Sequence, residues 1–91
     1  MNMVYIISYK ETYSDGSFSS GVSYAFWSMQ DALKMLNSIK EDEKQYYLEN
    51  GTRETMEEVE DLITDYTECP GFIIDFGDEY TEFIVQKFEV K

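Results

Sequence analysis

The chain is 91 residues long, 43% hydrophobic and 16% aromatic, and its formal net charge is −12. This length supports one small domain, residues 1–91, with a single core, and the apolar content is too high for a disordered acidic tail. The charge excludes bare nucleic acid and anionic membranes as default partners, so we expect an electrostatically selected partner to be a basic protein.

The negative charge is concentrated in one region. Residues 41–82 contain fifteen acidic and two basic residues, whereas the other forty-nine residues hold four acidic and five basic ones. This segment therefore carries almost all of the uncompensated charge.

The residue types argue against catalysis. Histidine is absent and Cys69 is the only cysteine, which excludes histidine-dependent nucleophiles and a cysteine–histidine zinc site. The five glycines are scattered, so no glycine-rich phosphate loop is present. Asp75, Asp78 and Glu79 offer oxygen ligands for calcium, but their spacing does not match an EF-hand loop. We expect a non-catalytic protein that needs no cofactor and no metal.

The amino-terminal apolar run bears on location. It covers only residues 3–7 and has no basic residue before it, so it is too short for a signal peptide or a membrane span. A single cysteine gives no internal disulfide and no sign of an oxidising compartment. These features predict a soluble, cytoplasmic protein.

The first predicted elements form a hairpin. Residues 3–9 and 22–27 are rich in β-branched and aromatic side chains, and the segment between them is rich in serine and glycine. Asp15 and Gly16 lie where the chain would reverse, so the pattern predicts two antiparallel strands.

A helix is predicted next. Ser28 is three residues before Asp31, the spacing of a capping box, and Gly51 suits the left-handed position after a helix end. Apolar residues recur at helical spacing between these two ends and would pack on the hairpin: Ala32, Leu36 and Ile39, with Leu33 and Met35 beside them. The sequence leaves open whether this is one long helix or two helices joined near Lys40.

A further helix is predicted to start near Thr52 or Thr55 and to end before Pro70, because the residue before a proline is disfavoured in helical conformation. Its apolar stripe would be Met56, Val59, Leu62, Ile63 and Tyr66.

A second hairpin follows, with strands over residues 72–76 and 80–90 and a turn at Gly77 to Glu79. The order ββ-α(α)α-ββ predicts an α+β domain, with an antiparallel sheet of two hairpins and helices packed on one face.

The acidic residues of the predicted second helix would share one side. The five carboxylates fall at i, i+3, i+4, i+7 and i+11: Glu54, Glu57, Glu58, Asp61 and Asp65. A solvated helix face is the ordinary explanation, but surface helices usually mix signs, and acid pairs at i, i+4 repel. The pattern therefore favours a partner-binding face formed by these five residues, together with Asp75, Asp78 and Glu79 of the second hairpin.

The whole chain resembles the small acidic proteins of phages and mobile elements, and specifically anti-CRISPR proteins that act as nucleic-acid mimics. The resemblance is carried by the small size, the missing histidine, a hairpin closing at residues 14–17, the segment Phe26, Trp27 and Ser28 leading into a helix with Asp31, Ala32 and Leu33, and the predicted acidic helix over residues 54–65. It implies an inhibitor, in the cytoplasm of a bacterial host cell, that occupies the basic nucleic-acid channel of a Cas or similar protein.

Two other hypotheses remain open at this level. One is an antitoxin or immunity protein whose acidic face covers the basic active site of a toxin. The other is an interaction or oligomerisation module, monomer or homodimer, in which Trp27, Tyr46, Tyr47 and Tyr80 form an aromatic contact patch. A measurement of partner binding against salt concentration would discriminate these hypotheses, because an electrostatic interface loses affinity steeply with salt and an aromatic patch does not.

Overall fold

The computed structural model describes residues 2–51 and 53–90 and has an α+β fold. The described elements are five strands and two helices: β1 (Asn2–Thr12), β2 (Phe18–Phe26), α1 (Met29–Glu49), α2 (Met56–Glu60), β3 (Ile63–Asp65), β4 (Gly71–Asp75) and β5 (Tyr80–Val90). The strands form one antiparallel sheet in the order β2-β1-β5-β4-β3, and α1 packs on it.

The first hairpin, β1 with β2, is confirmed. Its turn is held by the Asp15 carboxylate, which accepts hydrogen bonds from the backbone N–H of Ser17 at 2.9 Å and from its hydroxyl at 2.5 Å. Gly16 has a φ of 88°, a value that glycine adopts without the steric cost a Cβ would add. A register shift between Ile7 and Ser8 bulges the hairpin, and the strands are longer than the sequence pattern indicates.

The capped helix is also confirmed, and it is a single helix. Ser28 Oγ accepts a hydrogen bond from the backbone N–H of Asp31 at 3.4 Å, as its capping position requires. The helix runs without a break past Lys40, and Gly51 follows it with a φ of 72°. The charged run at residues 40–44 therefore lies inside α1 and does not interrupt it.

The prediction of a second long helix ending at Pro70 is wrong. Thr55 does cap a helix, accepting the backbone N–H of Glu58 at 3.2 Å, but α2 has only five residues. The alternative start, Thr52, lies outside the described residues. The chain then forms β3, which pairs with β4 in the register Ile63 with Ile74. Pro70 instead contributes a carbonyl that accepts a hydrogen bond from Val85 N–H at 2.8 Å.

Residues 63–65 form a strand and not a helix because the edge of β4 is available for pairing. Residues 63 and 64 are the β-branched Ile63 and Thr64, which lose little by adopting an extended conformation. Pairing with β4 satisfies backbone groups that would otherwise lie at an unpaired sheet edge, and a five-residue helix gains little from its own hydrogen bonds. The sheet therefore has a fifth strand in place of the second half of the predicted helix, and β4 with β5 forms the second hairpin as predicted.

The core lies between α1 and one face of the sheet. Its buried members come from the two central strands, from β4 and from α1: Ile7, Ala32, Leu36, Phe72, Ile74, Phe83 and Val85. Burying each larger apolar side chain stabilises the fold by about 1.5–3 kcal/mol before entropy is counted. Leu33, which the sequence places beside this stripe, is exposed.

Within residues 2–51 and 53–90, no helix covers the other face of the sheet. Phe18 and Val22 of β2 keep 64% and 62% of their surface exposed, and Phe88 of β5 is also exposed. The register places these residues opposite Thr12, Ser8 and Val4, on the face away from Ile7. We call this side the open face.

Candidate functional site

The fold collects carboxylates at one end of the molecule. At this end Glu11 pairs with Thr81, and Asp75 pairs with Tyr80, so the end of β1 lies beside the turn of the second hairpin, where β4 ends and β5 starts. The last turns of α1 lie there too, because the rings of Tyr47 and Phe76 are 4.9 Å apart.

Helix α2 lies at the same end. Leu62 follows α2 by two residues, and its carbonyl accepts a hydrogen bond from the backbone N–H of Asp75 at 2.9 Å. We call this region the acidic end and define it by its carboxylates: Glu11, Asp15, Glu43, Glu57, Glu58, Glu60, Asp61, Asp75, Asp78 and Glu79. The opposite end holds the start of β1, the end of β2, the start of α1 and the end of β5. Its described charged residues balance: Asp31 and Glu89 against Lys34 and Lys87.

The predicted acidic helix face is not formed, because residues 54–65 are not one helix. Glu54 precedes α2, Glu57 and Glu58 lie in its first turn, Asp61 is its C-cap, and Asp65 is on β3. Asp65 is also neutralised, because its carboxylate forms an ion pair with Lys40 at 2.5 Å. Of the five predicted residues, those of α2 belong to the acidic end and Asp65 does not.

The three predicted residues of the second hairpin lie at the acidic end. Asp75 ends β4, and its carboxylate accepts the backbone N–H of Gly77 at 2.8 Å, which holds the turn. Asp78 and Glu79 follow in the turn, and all three carboxylates are exposed. Tertiary folding thus places this turn near α2, although Asp61 and Asp75 are fourteen positions apart in the sequence.

A cleft of about 550 Å³ opens at the acidic end. Its walls are α1, the end of β1 with the turn after it, the β4–β5 turn and the start of β5. Three carboxylates and four tyrosines line it, with three further residues: Glu11, Glu43 and Glu79; Tyr13, Tyr46, Tyr47 and Tyr80; Thr12, Phe76 and Thr81. We call it the tyrosine cleft.

The aromatic rings of the cleft pack edge to face. The ring of Tyr46 meets that of Tyr47 at 5.2 Å and 83°, and Tyr47 in turn meets Phe76 at 63°. Such pairs contribute about 0.5–1.5 kcal/mol beyond area burial. Tyr47 and Phe76 are half-buried and Tyr46 keeps 57% of its surface exposed, so the cleft has a fixed aromatic base and an accessible outer ring.

The charges in the cleft perturb one another. Partial burial raises the pKa of Glu43, and repulsion by Glu11 and Asp42 raises it further. Burial, followed by the negative charge of Glu43, raises the pKa of Tyr47 to about 12. The Tyr13 hydroxyl donates to Glu11 at 2.8 Å, and this hydrogen bond is the main cause of a raised pKa at Tyr13. Both tyrosines are therefore neutral near pH 7.

The cleft carboxylates are outside the ion pairs found among residues 2–51 and 53–90. Those pairs join Lys40 to Asp65, and Lys44 to Glu41 and Glu60. Ionised carboxylates only accept hydrogen bonds, and tyrosine ring faces attract cations. The arrangement suits a positively charged group.

Sequence reasoning missed Glu11 and Glu43. Glu43 and Tyr47 are four residues apart on one helix, so their shared face could have been read from the sequence. Nothing local connects Glu11 to them, because their approach depends on how α1 crosses the sheet. The predicted aromatic patch is only partly assembled: Tyr46, Tyr47 and Tyr80 line the cleft, whereas Trp27, 70% exposed, lies before the start of α1, near Met3 and Tyr5.

Comparisons with protein-family models, with curated proteins and with solved structures give no match to this chain. Within the described ranges, neither helix has the combination of length and apolar character needed to cross a lipid bilayer. The fold and the site thus define an α+β domain with an anionic, tyrosine-lined end.

Proposed function

We propose that this protein is a non-catalytic inhibitor that presents the acidic end to the basic nucleic-acid site of another protein, most concretely a CRISPR nuclease. The observation that carries the proposal is the one-sided charge: ten carboxylates lie at one end, where Lys44 pairs with only one of them, Glu60, while the described charges of the opposite end cancel. A polyanionic end on an elongated domain of 47 × 27 × 22 Å has the sign of charge that a nucleic-acid channel selects.

The gathering of like charge costs stability, which supports a binding role. Carboxylates that repel one another raise the free energy of the folded state, and a basic partner would relieve that repulsion on binding. The same field would steer the encounter and would weaken steeply with salt. A toxin with a basic active site would experience the same attraction, so the antitoxin hypothesis is the main alternative to this proposal.

The test is competition with target DNA. Guide-loaded CRISPR nucleases of several types are incubated with a fluorescent target duplex, and duplex binding is followed by polarisation as the protein is added. We expect inhibition of at least one nuclease that declines between about 50 and 200 mM salt. No inhibition of any nuclease at micromolar protein contradicts the CRISPR assignment.

Matched variants localise the effect. The first replaces three carboxylates of the acidic end, Glu57→Gln, Glu58→Gln and Asp78→Asn. The second removes the same charge elsewhere, Asp31→Asn, Glu68→Gln and Glu89→Gln. All six side chains are exposed, so both variants should fold. The first should weaken inhibition at least about tenfold and the second by less than about twofold; equal weakening would show that net charge acts without a defined surface.

A second expectation follows from the same charge. The protein should not bind DNA or RNA by itself at physiological salt, because a polyanion meeting a −12 domain gains nothing from counterion release. A mobility-shift assay with random duplex and single-stranded probes measures this. A clear shift at micromolar protein contradicts the proposed mimicry.

The open face favours self-association as a second candidate function. Phe18, Val22 and Phe88 are exposed there, and strands β2, β1 and β5 present roughly 500 Å² at about 3.3 Å per residue and 4.8 Å per strand. Stable interfaces remove about 800 Å² per partner, so the dimer would be weak. Sedimentation velocity across about 10 to 500 μM should show it, and Val22→Ser with Phe88→Ser should abolish it; a monomer throughout contradicts it.

A further inference from the structure

We propose that the tyrosine cleft binds the guanidinium group of an arginine side chain supplied by the basic partner. The inference rests on the proposed function in one respect, namely that the partner is a basic protein. It adds the place of contact and the residue type, and it can be tested without the partner.

The cleft has the dimensions and walls of a ligand site. Its volume of about 550 Å³ lies in the range usual for small-molecule pockets, about 300–1,000 Å³. Side chains from three segments that are distant in sequence, residues 11–13, 43–47 and 76–81, converge on it, so the fold assembles a concavity and not merely a row of surface charges. Thr12, on its wall, carries a buried hydroxyl oxygen, Oγ1, which has no hydrogen-bond partner among the described residues.

The carboxylates of the cleft would stabilise a bound cation. Glu11 on β1, Glu43 on α1 and Glu79 in the β4–β5 turn line one concavity, and the ion pairs formed by Lys40 and Lys44 involve other carboxylates. Glu43 is half-buried and repelled by Glu11. A positive group in the cleft would offset both the desolvation of Glu43 and the repulsion between the two carboxylates.

The aromatic walls favour arginine over other cations. A guanidinium is planar, stacks on a ring face and donates several hydrogen bonds in one plane, whereas the lysine ammonium is a compact and strongly hydrated charge. Tyr46 offers an exposed ring at the edge of the cleft, and the carboxylates offer acceptors on three sides. A quaternary ammonium would match the rings but leave the carboxylates without hydrogen bonds.

The experiment is a titration monitored by nuclear magnetic resonance. N-acetyl-arginine amide, N-acetyl-lysine amide and tetramethylammonium chloride are added separately at constant ionic strength, and tyrosine side-chain and backbone resonances are followed. We expect the arginine probe to bind at about millimolar concentration, at least about fivefold tighter than the other two, and to shift resonances of Glu43, Tyr46, Tyr47 and Tyr80. Equal binding of lysine and arginine probes, or shifts confined to other regions, would overturn the inference.

Two matched pairs of variants test the named residues. Glu43→Gln should weaken the arginine probe about fivefold to tenfold, while Glu49→Gln, an exposed acid of the same helix outside the cleft, should change it less than about twofold. Tyr46→Ser should weaken it and Trp27→Ser should not. Thermal unfolding confirms that each variant is folded, and equal effects within either pair count against the cleft.

The failure of this inference can be told apart from failure of the proposed function. If the arginine probe does not bind the cleft but the Glu57, Glu58 and Asp78 variant still loses inhibition, the cleft inference falls and the proposed function stands. If the probe binds as expected but no nuclease is inhibited, the arginine site stands and the proposed function falls.

Discussion

Replacing Gly71 by alanine should destabilise the protein, because β4 begins against the backbone of β5. A Cβ at position 71 would lie 2.6 Å from the Phe83 carbonyl oxygen, 2.9 Å from Ile84 Cγ2 and 3.1 Å from Ile84 Cα. Carbon–oxygen contacts in sheets are about 3.3–3.6 Å, so the strands would have to separate by roughly 0.7 Å or more.

Backbone hydrogen bonds on both sides oppose that separation. Gly71 accepts the backbone N–H of Tyr66 at 3.0 Å, and the neighbouring Pro70 carbonyl accepts Val85 N–H at 2.8 Å. Overpacking of this kind costs about 1–3 kcal/mol, and the lower entropy of an unfolded chain with alanine returns about 0.4–1 kcal/mol. A net loss of about 1–2 kcal/mol should lower the Tm by roughly 4–16 °C for a domain of this size.

Gly21→Ala is the matched control. The three atoms nearest to its added Cβ all belong to the Tyr9 side chain, with the hydroxyl oxygen at 3.0 Å, and a side chain can move where a backbone cannot. Thermal unfolding by circular dichroism should therefore show a much smaller decrease for Gly21→Ala. A Tm for Gly71→Ala within about 2 °C of both the parent and the control would refute the strand placement on which this reasoning depends.

Two further predictions concern the cap of α1 and the cleft. Ser28→Ala removes the side chain that accepts Asp31 N–H and should cost about 1 kcal/mol, or roughly 4–8 °C in Tm, whereas Ser38→Ala on the exposed side of α1 should be close to neutral. Partial burial, then repulsion by Glu11 and Asp42, holds the pKa of Glu43 above its usual 4.5, so ionised Glu43 opposes folding above that raised pKa. Glu43→Gln should therefore raise the Tm by a few degrees at pH 7, and the gain should vanish as the pH falls below the ordinary carboxyl range, where Glu43 is protonated in both states; an equal gain at pH 3 contradicts this.

The sequence by itself determined the elements whose causes are local. The reversal at Asp15 and Gly16 depends on a carboxylate that reaches the backbone two residues on and on a glycine free to take positive φ. The start of α1 depends on Ser28, which satisfies a backbone N–H three residues ahead. These interactions span a few residues, so they can be read from neighbouring letters, and the same holds for the alternating strands of the second hairpin.

Only the tertiary structure decided the secondary structure of residues 61–65. The apolar residues Leu62, Ile63 and Tyr66 have helical spacing, but a short apolar run is also compatible with a strand. Pairing with the edge of β4 selects the strand for residues 63–65. The charge of the segment was clear from composition, but its arrangement was not. Glu11 and Glu43 are 32 positions apart and share a cleft because β1 pairs with β5 while α1 crosses above them. A cleft made of such contacts follows from packing between distant segments, and the sequence around either residue does not indicate the other.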